Sequence, residues 1–333
     1  MSESFRAFVA RNEDGSGEQG VETLTEADLP PGDVTVRVEW SSVNYKDGLA
    51  ASPNGKVARI SPLVPGIDLA GTVVASESPE FQAGDRVLAN GYDLGVSHHG
   101  GFGELARLPA DWVVPLPKGL EARQAMTLGT AGYTAALSVV EIERRGLEPG
   151  AGPVLVLGAS GGVGSTAVGI LAARGHEVWA STGKGDETDF LRELGAHEIL
   201  SREETSAESS RPLESERWAG CVDPVGGASL AYALRTMRDR GTVAASGVTG
   251  GPKLETTVFP FILRSVALVG IESSRTPIGE RREVWRRLAD DLRPNGLDRI
   301  ARREVGLEEL SGALADILAG KSRGRTVVRV GDG

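Results

Sequence analysis

Residues Val154–Ser165 read VLVLGASGGVGS, and this stretch decides the fold, because its apolar start predicts a buried strand and its glycines open a predicted helix over Ser165–Arg174. A strand, a glycine-rich turn and a helix in this order match the dinucleotide-binding fingerprint, with Ala159 in place of the first glycine. Without a Cβ, Gly161 lets the backbone approach a pyrophosphate, and Gly164 lets the helix pack closely on the strand. The residues predicted to bind the phosphates are Ser160, Gly161, Gly162, Val163 and Gly164. The alternative is a glycine-rich turn with a structural role only.

The strand after this helix indicates the cofactor. About 20 residues past the fingerprint, an NAD site carries Asp or Glu to bind the ribose 2′-hydroxyl. The predicted strand Glu177–Ser181 instead runs into Thr182-Gly183-Lys184 and ends without a carboxylate. Hydroxyls and an ammonium suit a 2′-phosphate, which a carboxylate would repel, so we predict NADPH rather than NADH. The residues predicted to bind this end of the cofactor are Ser181, Thr182, Gly183 and Lys184.

Strands and helices alternate on both sides of the fingerprint, which is typical of a doubly wound parallel sheet. The other predicted helices of this part are Ala125–Val140, Glu187–Leu194 and Ala228–Met237. Its other predicted strands are Glu198–Leu200, Gly220–Asp223, Thr242–Ser246 and Val266–Ile271. The first third of the chain instead reads as short strands, namely Val34–Trp40, Ile67–Ala75 and Asp85–Ala89. The tail returns to a predicted helix, Leu307–Leu318, and a predicted strand, Thr326–Val330.

Composition excludes several classes of protein. The chain has 333 residues, 40% of them hydrophobic, and a net charge of −10, so we expect two domains, or three, and no nucleic-acid partner. A single cysteine, Cys221, excludes an intrachain disulfide and a zinc site built on several thiolates. Met1–Gly20 lacks the apolar core of a signal peptide, and no apolar run approaches 18 residues. We therefore expect a cytoplasmic protein that does not enter a membrane.

Four further strings carry a resemblance to a known family. They are Asn44–Asp47 (NYKD), Pro65–Gly71 (PGIDLAG), Gly84–Val87 (GDRV) and Gly129–Ala135 (GTAGYTA). Together with the fingerprint, they make the whole chain resemble the medium-chain dehydrogenase/reductase superfamily. The resemblance implies an α/β protein in two parts: a GroES-like, mostly β substrate domain from residues 1–124 and 298–333, and a Rossmann NADPH-binding domain from residues 125–297.

Within that superfamily the chain resembles the zinc-free, quinone-oxidoreductase-like members, and among them the NADPH-dependent acrylyl-CoA reductases. The strings that carry this finer match are WSSVNYKDGL (40–49), VPGIDLAGT (64–72), GASGGVGSTA (158–167), RPLESERWA (211–219), TTVFPFILR (256–264) and GRTVV (324–328). Zinc alcohol dehydrogenases typically have Gly-His-Glu where this chain has Gly66-Ile67-Asp68, and no cysteine precedes Cys221. The resemblance thus implies no metal site. Two adjacent histidines, His98 and His99, are interpreted as loop residues.

The resemblance also implies roles for individual residues. Tyr45 is the expected catalytic residue beside the nicotinamide, where it donates a proton or orients the bound molecules; the alternative is a packed tyrosine bonded to the backbone. Asn44 would bind the cofactor ribose or carboxamide, whereas Asp47 would fix the loop. Arg323, or Arg325 near it, would reach a phosphate, with a surface role as the alternative. The other residues expected to bind the cofactor are Thr130, Gly247, Val248 and Ser273, with Ser274 as an alternative to the last.

The expected reaction is reduction of the C=C bond of a short 2-enoyl-CoA, most simply acrylyl-CoA to propionyl-CoA. Hydride would add to the β-carbon and a proton to the α-carbon, a reaction that needs no metal because the thioester already activates the alkene. One alternative is a quinone reductase or another zinc-free alkene reductase, and a second is an NADPH-binding protein without significant turnover. Since the strand Val266–Ile271 would lie at a sheet edge, we also expect a homodimer paired through it.

Overall fold

The chain divides into two units in the computed structural model, which describes residues 4–12 and 17–331. The first unit comprises Met1–Thr130, Ser274–Arg286 and Ala301–Gly333, and the second comprises Ala131–Ser273 and Arg287–Ile300. This division differs from the predicted boundaries after residues 124 and 297. Thr130 stays with the first unit because its backbone N–H donates to Asp68, and residues 274–286 do so because the Trp285 indole donates to Asn90. As functional domains, the predicted ranges remain a prediction.

Strands predominate in the first third of the chain, and helices alternate with strands after it. The strands are β1 (Ser4–Arg11), β2 (Glu18–Thr25), β3 (Val34–Ser42), β4 (Asp68–Ser76), β5 (Arg86–Asn90), β6 (Leu105–Leu108), β7 (Val113–Pro115), β8 (Val154–Val156), β9 (Val178–Thr182), β10 (Glu198–Ser201), β11 (Trp218–Asp223), β12 (Met237–Ala245), β13 (Ala267–Gly270), β14 (Ala301–Val305) and β15 (Arg325–Arg329). The helices are α1 (Tyr45–Ala51), α2 (Ala122–Arg144), α3 (Gly162–Ala173), α4 (Thr188–Glu193), α5 (Gly227–Thr236), α6 (Phe259–Arg264), α7 (Ile278–Leu288), α8 (Leu297–Ile300) and α9 (Leu310–Leu318).

The first unit is built on a seven-stranded sheet in the order β14-β15-β3-β4-β5-β7, with β6 also paired to β3. Strand β3 forms because Val34, Val36 and Val38 alternate with polar residues, and all three valines are fully buried. Its neighbour β15 comes from the far end of the chain, so both termini contribute to one core. Helix α9 packs on α1, which places Tyr45 at the start of a short helix beside the sheet.

The second unit is a six-stranded parallel sheet in the order β10-β9-β8-β11-β12-β13. The strand order reverses at β8, which has β9 on one side and β11 on the other, so a ligand crevice is expected at the carboxyl ends of these strands. Its core contains Leu155, Trp218 and Cys221, and burial raises the pKa of the Cys221 thiol. The predicted combination of a GroES-like part and a doubly wound Rossmann sheet is therefore confirmed.

Some elements differ from the sequence expectations. The β1–β2 hairpin and helix α7 are absent from the sequence prediction, although Ile278, Val284, Trp285 and Leu288 of α7 do recur at helical spacing. Strand β12 begins at Met237, five residues before the predicted Thr242, because Met237 already pairs with Trp218; the pairing is irregular until Thr242 meets Gly220, and Arg240 between them has φ +60°. Among residues 4–12 and 17–331, no helix is long and apolar enough to cross a bilayer.

Candidate functional site

The fingerprint turn joins β8 to α3 in the second unit. Gly158 has φ +57°, a backbone conformation that favours glycine, and α3 begins at Gly162. A Cβ added at Gly164 would overlap the carbonyl oxygen of Gly158, whereas a Cβ at Gly161 would meet nothing nearer than 3.4 Å. The turn therefore packs tightly at Gly164 and leaves Gly161 partly exposed, which suits the approach of a pyrophosphate group to the backbone. Val163 lies in the first turn of α3 beside these glycines.

The ends of β8 and β9 bring three of the predicted residues together. The hydroxyls of Ser160 and Thr182 lie 2.8 Å apart, and the backbone N–H of Lys184 donates to the Thr182 hydroxyl at 3.1 Å. Ser181 is placed differently: its hydroxyl lies 2.5 Å from that of Thr205, and the residue is 2% exposed. The structure thus groups Ser160, Thr182 and Lys184 and turns the Ser181 side chain away from them.

Arg202 belongs to the same corner, and the sequence analysis missed it. It follows β10, the parallel neighbour of β9, and its backbone N–H donates to the Thr182 carbonyl at 3.1 Å. A Cβ added at Gly183 would lie 2.6 Å from the Arg202 guanidinium carbon, so the cation rests directly on the glycine. The sequence signal that could have found Arg202 is a basic residue directly after β10, the strand that pairs with β9. A guanidinium here suits a phosphate group.

Beyond the fingerprint, the loops after β11 and β12 pack against each other. Asp223 ends β11, and its carboxylate accepts the backbone N–H groups of Val225 and Gly226, while burial raises its pKa. Gly247 is needed because a Cβ there would overlap the Pro224 carbonyl oxygen. Val248 beside it is 65% exposed and Ser273, after β13, is partly buried, so both are accessible to a ligand.

The first unit holds a buried charged cluster around Asp68, at the start of β4. Its Oδ1 accepts the Thr130 hydroxyl at 2.6 Å and the Thr130 N–H at 2.9 Å. Its Oδ2 accepts the Ser42 hydroxyl at 2.5 Å and the Asn44 amide at 2.7 Å, and it faces the Arg325 guanidinium at 3.5 Å. Each acceptor position of the carboxylate is used, as a buried charge requires.

Asn44 and Asp47 fix the turn that leads into α1. The Asn44 side chain donates to Asp68 and accepts from Arg325 at 3.1 Å, so its direct contact with a cofactor stays a prediction. Asp47 accepts the N–H groups of Asn44 and Ile67, which supports the predicted loop-fixing role. Burial raises the pKa of Asp47 to about 7, and the negative charge of Asp68 adds to the rise.

Tyr45, Arg323 and Arg325 differ in how far their side chains are exposed. Tyr45 is 49% exposed, so its ring is available to a ligand and is not the packed tyrosine of the alternative interpretation. Arg325 is buried and donates to Ser42, Asn44 and backbone carbonyls, which removes it as a phosphate ligand. Arg323 is partly buried, and its expected phosphate contact stays a prediction.

The two adjacent histidines have backbone partners. The ring nitrogens of His98 lie 3.0 Å and 3.2 Å from the carbonyl oxygens of His99 and Pro31. His99 accepts the Val64 N–H at 3.3 Å, and burial lowers its pKa. Nowhere in the described residues do three His, Cys, Asp or Glu side chains gather in a way that could hold a metal ion.

Comparison with known proteins places this geometry in a family. Residues 30–118 match the alcohol dehydrogenase GroES-like domain, and residues 162–290 match the zinc-binding dehydrogenase family. The chain is 48% identical to the putative quinone oxidoreductase YhfP of Bacillus subtilis, over 99% of this chain and 100% of that protein. It is 50% identical to the acrylyl-CoA reductase AcuI of Ruegeria pomeroyi, over 98% of this chain and 99% of the relative.

Solved structures agree with these matches. The Salmonella enterica yhdH oxidoreductase, in complex with NADP, superposes with a TM-score of 0.94 at 46% identity and covers 98% of this chain and 100% of its own. Bacillus subtilis yhfP with NAD bound has a TM-score of 0.95 at 48% identity, with the same two coverages. With both parts of the fold, the fingerprint turn and full-length relatives in agreement, the chain belongs to the medium-chain dehydrogenase/reductase superfamily of oxidoreductases.

Proposed function

We propose that this chain is an NADPH-dependent reductase of short 2-enoyl-CoA thioesters, with acrylyl-CoA to propionyl-CoA as the simplest case. The observation that carries the proposal is full-length identity of 50% to a protein named acrylyl-CoA reductase. A quinone reductase is the second candidate, because a putative quinone oxidoreductase is 48% identical over the same length. A cofactor-binding protein without significant turnover is the third.

The cofactor half of the proposal rests on the corner where β9 and β10 end. No carboxylate ends β9, Lys184 follows Gly183 in the chain, and the Arg202 guanidinium packs on Gly183, which supports our proposal that these two cations bind the 2′-phosphate. The partly exposed Gly161 and the hydroxyls of Ser160 and Thr182 suit the rest of a dinucleotide diphosphate. Two of the similar structures hold NADP or NADPH and a third holds NAD, so the preference between the two cofactors is itself a subject for measurement.

In the proposed mechanism, bound NADPH would supply the hydride that adds to the β-carbon of the substrate. The thioester carbonyl makes the β-carbon of the substrate electrophilic, and the enolate that follows needs a hydrogen-bond donor at its oxygen and a proton at its α-carbon. We propose that Tyr45 donates this proton or orients the cofactor and the substrate, because its ring is half exposed at the start of α1. The turn through Asn44 and Asp47 holds it there, without itself reacting.

We also propose that the protein is a homodimer joined through β13, the last strand in the order of the six-stranded sheet. An edge strand has free backbone donors and acceptors, and pairing across a two-fold axis satisfies them. Beside it, α6 and the residue before it expose an apolar surface, which consists of Val258, Phe259, Ile262 and Leu263. A cytoplasmic location, with its reducing conditions, suits the single buried cysteine, Cys221.

A substrate panel tests the proposed function. We would measure steady-state oxidation of NADPH with acrylyl-CoA, crotonyl-CoA and a benzoquinone in parallel. The enoyl-CoA proposal predicts that acrylyl-CoA has the highest kcat/KM of the three. A higher kcat/KM for the quinone would favour the second candidate, and turnover of none of them, with NADPH bound, would favour the third. Tyr45→Phe, which keeps the ring and removes the hydroxyl, tests the role proposed for Tyr45; we expect it to lower kcat with the preferred substrate.

A further inference from the structure

The chain has five asparagines, and three of them precede a glycine, in the steps Asn54-Gly55, Asn90-Gly91 and Asn295-Gly296. Asparagine is a thermolabile residue, and a following glycine has no side chain to shield its amide nitrogen from the asparagine carbonyl. Attack by that nitrogen needs a side chain that is free to rotate and an amide whose proton can leave. The fold therefore decides which of the three steps can react.

Two of the three steps are protected by hydrogen bonds. Asn90 is buried, its Oδ1 accepts an indole N–H at 3.0 Å, and the Gly91 N–H donates to a backbone carbonyl at 3.1 Å. Asn54 is exposed, but the Gly55 N–H donates to the Ser52 carbonyl at 3.1 Å. An amide in such a hydrogen bond must break it before its nitrogen can attack, which costs free energy.

The third step, Asn295-Gly296, lacks this protection. Asn295 is exposed, and within residues 4–12 and 17–331 neither its side chain nor the Gly296 N–H makes a hydrogen bond. Both residues lie in the turn that leads into α8, and Gly296 has φ +64°. The step thus has an accessible amide side chain next to a backbone nitrogen whose proton is not engaged.

We propose that Asn295 is a site of spontaneous modification, at which the chain converts its own asparagine to isoaspartate or aspartate. The Gly296 nitrogen forms a bond to Asn295 Cγ, the Cγ–Nδ2 bond breaks, and the amide proton leaves with the departing ammonia. Water then opens the cyclic imide at one of its two carbonyls. The net change is a gain of water and a loss of ammonia, with no oxidation or reduction. This chemistry does not depend on the reaction proposed for the chain.

The position of Asn295 gives the modification a structural consequence. Its N–H donates to the Gly169 carbonyl of α3 at 3.1 Å, and a Cβ added at Gly169 would lie 2.8 Å from the Asn295 carbonyl oxygen, so the turn packs closely on this helix. Directly after the turn, α8 buries Leu297 and Ile300. Isoaspartate lengthens the main chain by a methylene at position 295, and it therefore pushes a close contact apart.

The test is incubation of the folded wild-type protein at mildly alkaline pH, followed by peptide mapping with mass spectrometry. We expect the mass increase of an amide-to-acid change to appear at Asn295 about three- to tenfold faster than at Asn54, the range for one hydrogen bond, and not at Asn90. The same incubation in concentrated urea is the control, because unfolding frees all three steps and should bring their rates together.

The variant Asn295→Gln tests the structural consequence, because it keeps an amide but needs a larger ring for the same attack. The urea midpoint of the wild type should fall as isoaspartate accumulates, whereas the midpoint of Asn295→Gln should not change during the same incubation. A fall of the same size in both proteins would show that damage elsewhere is responsible and would refute the close contact with α3 as its cause.

Two results would overturn the proposed site itself. Modification of Asn54 as fast as that of Asn295 would show that the hydrogen bond at Gly55 does not decide reactivity. An Asn295 that stays intact in the folded protein but reacts in urea would show that the turn holds its side chain away from the Gly296 nitrogen. The measurement needs neither NADPH nor a substrate, so failure of the proposed function would not affect it.

Discussion

The Asp68 carboxylate and the Arg325 guanidinium are buried together, with Oδ2 and Nη2 3.5 Å apart and the Ser42 hydroxyl bonded to both. A pair of this kind costs desolvation energy to form, but removal of one partner leaves the other charge buried and uncompensated. The pair therefore makes the first unit sensitive to single changes that would be harmless on the surface.

Replacement of Arg325 tests this sensitivity. Arg325→Met should lower the free energy of unfolding by about 3–5 kcal/mol, the range for breaking a buried pair. The control is Arg144→Met, which breaks a pair with Glu141 in which the arginine side chain is 65% exposed and which should cost about 0–1 kcal/mol. Urea denaturation measures both. Similar losses in the two variants would contradict the importance of burial.

A methyl group at position 129 should be damaging. Gly129→Ala places a Cβ 2.5 Å from Asp68 Oδ2 at a backbone φ of +51°, so both overlap and strain oppose it. We expect a loss of more than about 1 kcal/mol in the free energy of unfolding. Gly312→Ala is the matched control, since a Cβ there meets nothing within 4 Å in helix α9 and should be neutral or stabilising. An unchanged midpoint for Gly129→Ala would refute the close packing.

The raised pKa of Asp47 predicts a pH dependence of stability. The native state holds this proton up to a pKa of about 7, whereas an ordinary Asp loses it at 3.8. Native protein thus binds more protons than unfolded protein in this window, so the stability from this group is complete below about pH 4 and is lost as pH rises through 7.

Asp47→Asn removes that titration. We expect the free energy of unfolding of the wild type, relative to this variant, to fall between pH 5 and pH 7 by up to about 1.4 kcal/mol per unit and to level off above. The control is Asp28→Asn, because hydrogen bonds from Thr25 lower the pKa of Asp28 and leave a flat difference over the same range. A flat difference for Asp47→Asn as well would show that Asp47 is ionised in the native protein at pH 5.

Cofactor preference should depend on the two cations beside Gly183. Lys184→Ala should weaken NADPH binding by about 1–3 kcal/mol, the scale of a hydrogen bond between charged groups, and leave NADH nearly unchanged. We expect Arg202→Ala to act in the same direction, because its guanidinium rests on the same glycine. Titrations of each variant with NADPH and with NADH measure the two dissociation constants. Equal losses for NADPH and NADH would show that these residues do not contact the 2′-phosphate.

The proposed dimer makes a prediction at β13. Leu268 is 36% exposed on this edge strand, so Leu268→Glu should place a charge in the contact and yield monomers or aggregates. Val266→Pro, one residue before the strand, should act in the same way. Val74→Glu is the control, because Val74 is 37% exposed on β4 of the other unit. Sedimentation velocity at micromolar concentration distinguishes the species, and a monomeric wild type would refute the dimer.

The sequence was most informative where the chemistry is local. The fingerprint, the missing carboxylate after β9 and the alternation of strands and helices each lie within a short stretch, and periodicity reads such stretches well. Arg325 was expected near a phosphate, but it lies against Asp68, 257 residues earlier in the chain. No local pattern encodes that contact, which depends on strand order. Arg202 was missed for the same reason, since its neighbour Gly183 belongs to another strand of the sheet.

The position of β15 has a consequence for biosynthesis. This strand is synthesised long after β3, since Arg325 follows Ser42 by 283 residues, yet β15 lies between β14 and β3 in the sheet. Residues 131–273 of the second unit are already synthesised by then and can fold, because domains generally fold as they emerge. The first unit must wait, with β3 partly unpaired, until β15 has been synthesised. Until then the Asp68 carboxylate lacks the guanidinium that faces it in the folded unit, so the buried ion pair can form only late in the folding of this unit.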